Sequence, residues 1–255
     1  MPASPMLPVS RIRDLTILEL GGGRVLVIAC DSVASIGPKP HDSVAATAAL
    51  TAHCAVRVPL LEIIAAGAKP EIIVDTLNVE MDPTGRAMIA EISTMAALIG
   101  LGPDRVTGST EDNVPTVSTG IGVTIVATAR RSQLRAGTSS AGDKVVCLGA
   151  PTSAPADTIV IGDERMISVE TLIGVLCVKG VHDALPVGSH GIAFEAEQLA
   201  ASSALSFVVG VHSTNMTKSG GPASCVLVSV ASESLDAVLT VLPAALPRTV
   251  LGTLS

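Results

Sequence analysis

Aromatic residues are almost missing from this chain of 255 residues: it has no Trp, no Tyr and two Phe, Phe194 and Phe207. Stacking platforms for single-stranded nucleic acid are therefore unavailable. The core must be built from Ala, Val, Ile and Leu, which suits closely packed α/β layers. A Lys/Arg cluster is missing too, and the formal net charge is −7. That argues further against a nucleic-acid partner and makes a phosphorylated ligand acceptable only if Mg²⁺ screens the acids. No C-x-x-C pair occurs among Cys30, Cys54, Cys147, Cys177 and Cys225. All but Cys54 sit in apolar runs, so they read as small buried hydrophobes of a reduced protein, not a disulfide framework or zinc site. The N-terminus lacks a basic segment followed by an apolar run. The longest apolar window, 199–211, is too short and too Ser-rich to span a bilayer. These absences predict a soluble, cytoplasmic protein with neither membrane nor nucleic-acid partner.

Several enzyme signatures are also missing. There is no G-x-S-x-G elbow. Gly21-Gly22-Gly23 lacks the G-x-x-x-x-G-K-[ST] pattern of a phosphate loop and reads as a hairpin turn, and His182 and His190 lack H-E-x-x-H spacing. His182-Asp183 has the chemistry for proton transfer, but an ordinary loop pair explains it better.

What the chain does have is a series of acids in apolar company. Asp31 directly follows the run 25–30, at a strand end where α/β ligand sites tend to lie; capping the turn at Asp31-Ser32 is an equal reading. Glu62 stands inside Leu60-Leu61-Glu62-Ile63-Ile64 of a helical segment, 43–67, interrupted near Pro59. An unpaired carboxylate buried there costs several kcal/mol, so Glu62 faces solvent, is paired or binds metal. Asp75 lies in the middle of strand 72–79, facing a ligand or at an edge. The segment 106–129 opens with a small-residue loop. Gly108, Ser109 and Thr110 let a backbone approach a ligand and can donate to anionic oxygens, while Glu111 and Asp112 are hard oxygen ligands suited to Mg²⁺. A plain polar turn accounts for that loop equally well. The rest of the segment, 120–129, reads as a buried strand.

Around these acids the pattern alternates strands and helices. A hairpin covers 15–20 and 24–30, and a helix carries Met88, Ile89, Ile92, Met95, Ala96 and Ile99 on its core face. A polar linker at 130–143 divides the chain into domains 1–134 and 135–255. The second domain reads as strand 144–149, helix 168–178, a loop 180–191, helix 192–205 with Glu195 and Glu197 exposed, strand 208–211, a polar loop 213–222 with Lys218, the alternating strand 224–230, and a closing helix 235–242.

Taken together, Ile28-Ala29-Cys30-Asp31-Ser32-Val33, the segment 57–75 (R-V-P-L-L-E-I-I-A-A-G-A-K-P-E-I-I-V-D), Thr107-Gly108-Ser109-Thr110-Glu111 and Gly142 to Gly149 resemble the superfamily of aminoimidazole-ribonucleotide (AIR) synthetase. Its relatives include thiamine-monophosphate kinase, selenophosphate synthetase and a hydrogenase maturation factor. The compact length and the T-G-S-T-E-D-N-x-P-T-V-S-T-G wording are most similar to α-ribazole kinase-like proteins. The chain departs from the family pattern in reading G-S-T-E for G-G-D-T, in carrying Glu62 for Asp, and in a short second half. The resemblance implies a two-domain PurM-like α/β (α+β) fold whose N-terminal domain, 1–134, binds ATP and metal and forms a β-barrel across a homodimer, followed by a C-terminal α/β domain. It implies ATP and Mg²⁺ as cofactors. The metal would be held by Asp31, Glu62, Asp75 and Glu111 or Asp112, and the nucleotide by Gly108, Ser109 and Thr110, with Lys218 as a further cation. The implied activity is phosphoryl transfer to an alcohol of a nucleoside-like or vitamin precursor such as α-ribazole, with no catalytic residue assigned. Thiamine-monophosphate phosphorylation, another AIR-synthetase-type reaction or a non-catalytic nucleotide-binding role are the alternatives.

Overall fold

The computed structural model describes residues 6–255. Its first half comprises β1 (Val9–Ile12), β2 (Leu15–Gly21), β3 (Arg24–Ala34), the short pair β4 (Ile36–Gly37) and β5 (Val44–Ala45), α1 (Ala48–Ala65), β6 (Lys69–Leu77), α2 (Arg86–Leu98), β7 (Val106–Thr110) and β8 (Gly120–Arg130). Six of these strands form one sheet in the order β1-β2-β3-β8-β6-β7. The second half comprises β9 (Lys144–Leu148), α3 (Val169–Leu176), β10 (Val181–Pro186), α4 (Gly191–Ala201), β11 (Phe207–Val209), β12 (Val226–Val230), α5 (Leu235–Val241) and β13 (Arg248–Leu254). Its sheet has the order β10-β12-β9-β13-β11. The α/β class expected from the sequence is the one observed.

The expected hairpin is β2–β3, turned by Gly21, Gly22 and Gly23 at φ +86°, +61° and +72°, a left-handed run that glycine alone takes freely. Alternate residues of β3 and β8 are buried: Val25, Val27 and Ala29, and Ile121, Val123, Ile125 and Ala127. They face α1, which packs on both strands. α1 starts at Thr47, whose side-chain oxygen accepts the Leu50 N–H at 3.1 Å. It then runs through Pro59 without the expected interruption. A proline removes one backbone bond, but α1 draws its stability from packing: twelve of its eighteen residues, Pro59 among them, are buried. By composition α1 could cross a bilayer, with mean hydropathy 1.5, yet 61% of it is buried inside this fold.

Several features differ from the sequence reading. Residues 181–186 form strand β10, not a loop, because Asp183 is built into the interior: it is fully buried and accepts from Arg13, the Gly137 N–H and the Ala184 N–H. Glu195 is buried, not exposed. Strand β13 was not expected; it pairs with β9 and closes the second sheet. Both faces of that sheet are covered. Val146, Leu148 and Val228 join the apolar cluster that also contains Ile17, Leu60 and Ile125, while Val145, Cys147 and Leu227 pack against Ile192 and Leu199 of α4. Strands buried on both faces lose the alternation that marks a one-sided strand.

Arginines stitch the seam between the two sheets. Arg57 of α1 is buried and donates from Nε to the Pro222 carbonyl at 3.0 Å, and from Nη2 to the carbonyls of Ala223 at 3.1 Å and Ile167. Arg13 holds Asp183 with two nitrogens at 3.1 and 2.5 Å, and Arg135 donates to the carbonyls of Val181 and Leu176, both at 2.7 Å.

Candidate functional site

A cleft of about 720 Å³ opens along this seam. One wall is Asp31, Ser32 and Val33 of β3 with Leu50, Thr51 and Cys54 near the start of α1; the other includes Ser153, Asp157, Ser189, Ser219 and Gly221 of the second half. Burial raises the Asp31 carboxyl above its usual range, opposed in part by the Ser32 N–H. Burial also pushes the neighbouring Cys54 thiol up to about 11, so it stays protonated and unreactive near neutral pH.

The sheet register places two of the predicted acids in one row. Asp31 of β3 and Asp75 of β6 both pair with Val123 of β8, and Asp75 pairs in turn with Gly108 of β7. Residues directly opposite across strands project to the same face. Asp31, Val123, Asp75 and Gly108 therefore form a line on the α1 side of the sheet, with the two aspartates about 10 Å apart at the usual strand spacing. Asp75 is 2% exposed, and burial raises its carboxyl to about 6. It lines a second pocket, about 180 Å³, with Met81, Gly108, Ser109 and Thr110. A Cβ on Gly108 would lie 2.3 Å from both the carbonyl oxygen and Oδ1 of Asp75, so only glycine lets that carboxylate lie over the edge strand.

Gly108, Ser109 and Thr110 thus belong to the edge strand β7, not to a loop. Glu111 follows directly, its N–H donating to the carbonyls of Leu77 and Val79, both at 3.1 Å. The Glu111 carboxylate accepts the Asn113 N–H at 2.7 Å, and Asp112 accepts the Thr110 hydroxyl at 3.2 Å and the Met81 N–H at 3.4 Å. The turn beyond is anchored by two acids that the sequence did not single out. Asp42 accepts from the N–H of Lys39, the Ser118 hydroxyl and both the N–H and hydroxyl of Thr119. Glu80 accepts from Lys39 and Thr116, which hold its carboxyl down at about 2.

Glu62 stands apart. It lies eleven residues beyond Thr51 on α1, about 16 Å farther along the axis. There it lines a cavity of about 30 Å³ with Asp14 and Glu195. Its Oε2 is buried without a hydrogen-bond partner. Burial, and then the charges of Asp14, Asp31 and Glu195, push its carboxyl up to about 8. Glu195 is pushed to about 7, mainly by burial, with the Gly188 N–H opposing. Among the described residues, no three His, Cys, Asp or Glu side chains stand close enough to hold one metal ion. Asp31, Glu62, Asp75 and Glu111 thus do not gather into one cluster among the described residues, although the charge of Asp31 still reaches Glu62. Lys218 is not a free cation either: its Nζ is 2.9 Å from Asp157. The sequence missed Asp157 itself; its signal was an acid just past the small-residue turn 150–155, where its side chain accepts the Ser153 N–H at 2.9 Å.

The raised Glu62 pKa has a thermodynamic consequence. The folded chain holds that proton more tightly than the unfolded chain, so the stabilisation is fully present below the ordinary value of 4.5 and is lost as pH rises through about 8. Glu62→Gln should raise the apparent Tm at pH 8.5 and leave it nearly unchanged at pH 4.5. An equal Tm change at both pH values would contradict the buried, protonated Glu62.

No protein-family model and no curated protein sequence matches the chain. Solved structures do. Thiamine-monophosphate kinase from Stenotrophomonas maltophilia K279a superposes with a TM-score of 0.68 at 17% identity, covering 95% of this chain and 86% of that one. The ATP complex of PurL from T. maritima gives 0.66 at 18% identity over 97% of this chain, which spans 43% of PurL. The ATP complex of the hydrogenase maturation protein HypE gives 0.64 at 16% identity, covering 93% and 78%. The chain has the PurM-like fold that these three proteins share.

Proposed function

We propose that the protein is an ATP- and Mg²⁺-dependent phosphotransferase that acts on an alcohol of a small organic acceptor. The observation that carries this reading is the row of Asp31, Asp75 and Gly108 running from the 720 Å³ cleft to the edge-strand pocket. Burial displaces both aspartates upward, and no cationic side chain offsets it. Such carboxylates favour a protein-bound divalent cation over solitary ionisation. Mg²⁺ is held by one or two carboxylates together with substrate phosphates, not by a full protein cage. Two aspartates in line with a glycine-bearing edge strand suit that arrangement better than a closed cluster of acids would. Glu111 and Asp112, at the end of β7, are the further donors in reach of the same strand end. Gly108, Ser109 and Thr110 would contact phosphate oxygens from the strand edge.

The metal, when bound, neutralises the charge that develops between the phosphates. The chain's own residues position and desolvate. The acceptor hydroxyl gives up its proton to solvent, its oxygen forms the new bond to the γ-phosphorus, the bond from that phosphorus to the β-phosphate oxygen breaks, and ADP leaves with the electron pair. Structures of the same fold bound to ATP support the choice of nucleotide, and thiamine-monophosphate kinase supports transfer to a small molecule. Asp31→Asn should keep the fold, read by circular dichroism, and reduce acceptor-dependent ADP release roughly a hundredfold, as loss of a metal contact does. Full ADP release by that variant would remove Asp31 from the metal site.

We also propose a homodimer built on the outer face of the first sheet. There Leu18 pairs with Leu26, and Ile28 pairs with Val126, which pairs with Ile72. All five are only partly buried, a contiguous apolar stripe of the kind that marks an interface. Val126→Asp should convert a dimer to a monomer in light scattering. A wild-type protein that is monomeric at tens of micromolar would rule this interface out.

A further inference from the structure

A further cavity lies against α1 beside the cleft. α1 presents Leu50, Thr51 and Cys54 to the cleft, whereas His53 and Arg57 line this separate cavity of about 340 Å³, and the two share no lining residue. Its other walls come from α2, the segment 160–171 at the start of α3, and the turn 243–246. Met95, Met166, Val169 and Leu246 are buried there, and Leu98 is exposed beside them. An apolar lining of this size with a few polar groups is the usual make-up of a small-molecule site.

Arg57 is 4% exposed, and its Nε and Nη2 donate to carbonyls of the seam. Its Nη1 has no hydrogen-bond partner among the described residues, yet it is not sealed from solvent, and the cavity that this side chain lines is where it opens. Burial lowers the guanidinium pKa to about 10, with Cys54, Cys225 and Glu170 opposing, so the group keeps its charge at neutral pH. No carboxylate bonds to it among the described residues. A buried cation in that state is short of an anion.

The other charges of the cavity are of two kinds. Asp163 is held by Arg165 at 2.6 Å, so that pair cancels. Burial lowers the His53 pKa against the pull of Glu91, which lies 2.8 Å from its Nδ1, so the ring is neutral at neutral pH. Glu164 and Glu170 remain: both are exposed residues of the lining, and neither forms an ion pair among the described residues. The cavity thus combines one unanswered cation at depth, two unanswered acids at its surface, and apolar walls.

We infer that this cavity binds a small zwitterion of the apolar amino-acid class. The ligand carboxylate takes Nη1 of Arg57, its ammonium turns to Glu170 and Glu164, and its side chain packs on Met95, Met166 and Leu246. A carboxylate without the ammonium would leave the two acids unanswered, and an amine without the carboxylate would be brought against the Arg57 charge. The site shares no residue with the proposed nucleotide site and stands whether or not the protein is a phosphotransferase.

The test is calorimetric titration of the full chain with leucine, methionine and phenylalanine. Each is compared with the amine that lacks its carboxylate and with the acid that lacks its amino group. At least one amino acid should bind at millimolar concentration, with its amine at least tenfold weaker and its deaminated acid at least threefold weaker. Arg57→Gln, with its fold checked by circular dichroism, should abolish the advantage of the amino acid over the amine. The double variant Glu164→Gln, Glu170→Gln changes only exposed side chains. It should remove the advantage of the amino acid over the deaminated acid without weakening the deaminated acid. No binding of any of the three amino acids, an amine that binds as tightly as its amino acid, or a preference unmoved by the double variant overturns the inference. Displacement of the bound amino acid by excess Mg²⁺–ATP would place it in the cleft instead, and overturns the inference as well.

Discussion

The buried cation of α1, Arg57, gives its Nε and Nη2 to carbonyls, while Asp31, Asp75 and Glu62 have no cation to offset their burial. Arg57, deep in the seam, donates to the carbonyls of Ile167, Pro222 and Ala223, and burial lowers its pKa to about 10. It remains charged at neutral pH, so its hydrogen bonds are charge-assisted. Those bonds lock α1 to the segments that lead into α3 and β12, and α1 sets both the near wall of the cleft and the place of Glu62. Asp31, Asp75 and Glu62 meanwhile sit in low-dielectric surroundings and are all shifted upward by burial. A protein that keeps acids in such places stabilises them by protonation or by an added cation. The two outcomes separate along α1: Glu62, at the far end beside Asp14 and Glu195, is a proton holder, whereas Asp31, open to the cleft, is available to a cation.

The sheet supplies the spacing. Cross-strand pairing through Val123 puts Asp31 and Asp75 on one face with a single strand between them, and β7 adds Gly108 at the next position. This distance is too great for one ion to be caged by protein alone and short enough to be bridged by a chain of phosphates with its metal. The same register sends Ile28, Val126 and Ile72 to the opposite face. One strand alternation thus produces both the candidate catalytic row and the candidate dimer surface, and a slip of a single residue would exchange them.

Much of this was legible in the chain. A carboxylate after a buried strand, an acid within an apolar helix and an acid inside a strand pointed to Asp31, Glu62 and Asp75, because each is costly where it stands. The hairpin, α1, α2 and β8 followed from glycine turns and apolar periodicity. What could not be read was three-dimensional register. Nothing local says that Glu62 lies at the opposite end of α1 from the cleft, or that Gly108 is on an edge strand beside Asp75. Nor does the sequence say that Lys218 is answered by Asp157 across sixty-one positions. The second sheet was harder for a different reason: it is covered on both faces, so β12, read as an alternating strand, is buried at every residue, and β13 was not expected at all. Asp183 in β10 looked like a loop acid because its partner, Arg13, lies far away in sequence.

The central claim is that the buried aspartate row binds nucleotide only through a metal. The most direct measurement is calorimetric titration of ATP into the protein with excess Mg²⁺ and again with EDTA. The account predicts binding with Mg²⁺ and a loss of at least tenfold in affinity when it is chelated. Equal affinity in both titrations would contradict it, since ATP would then approach Asp31 and Asp75 with its charge unscreened.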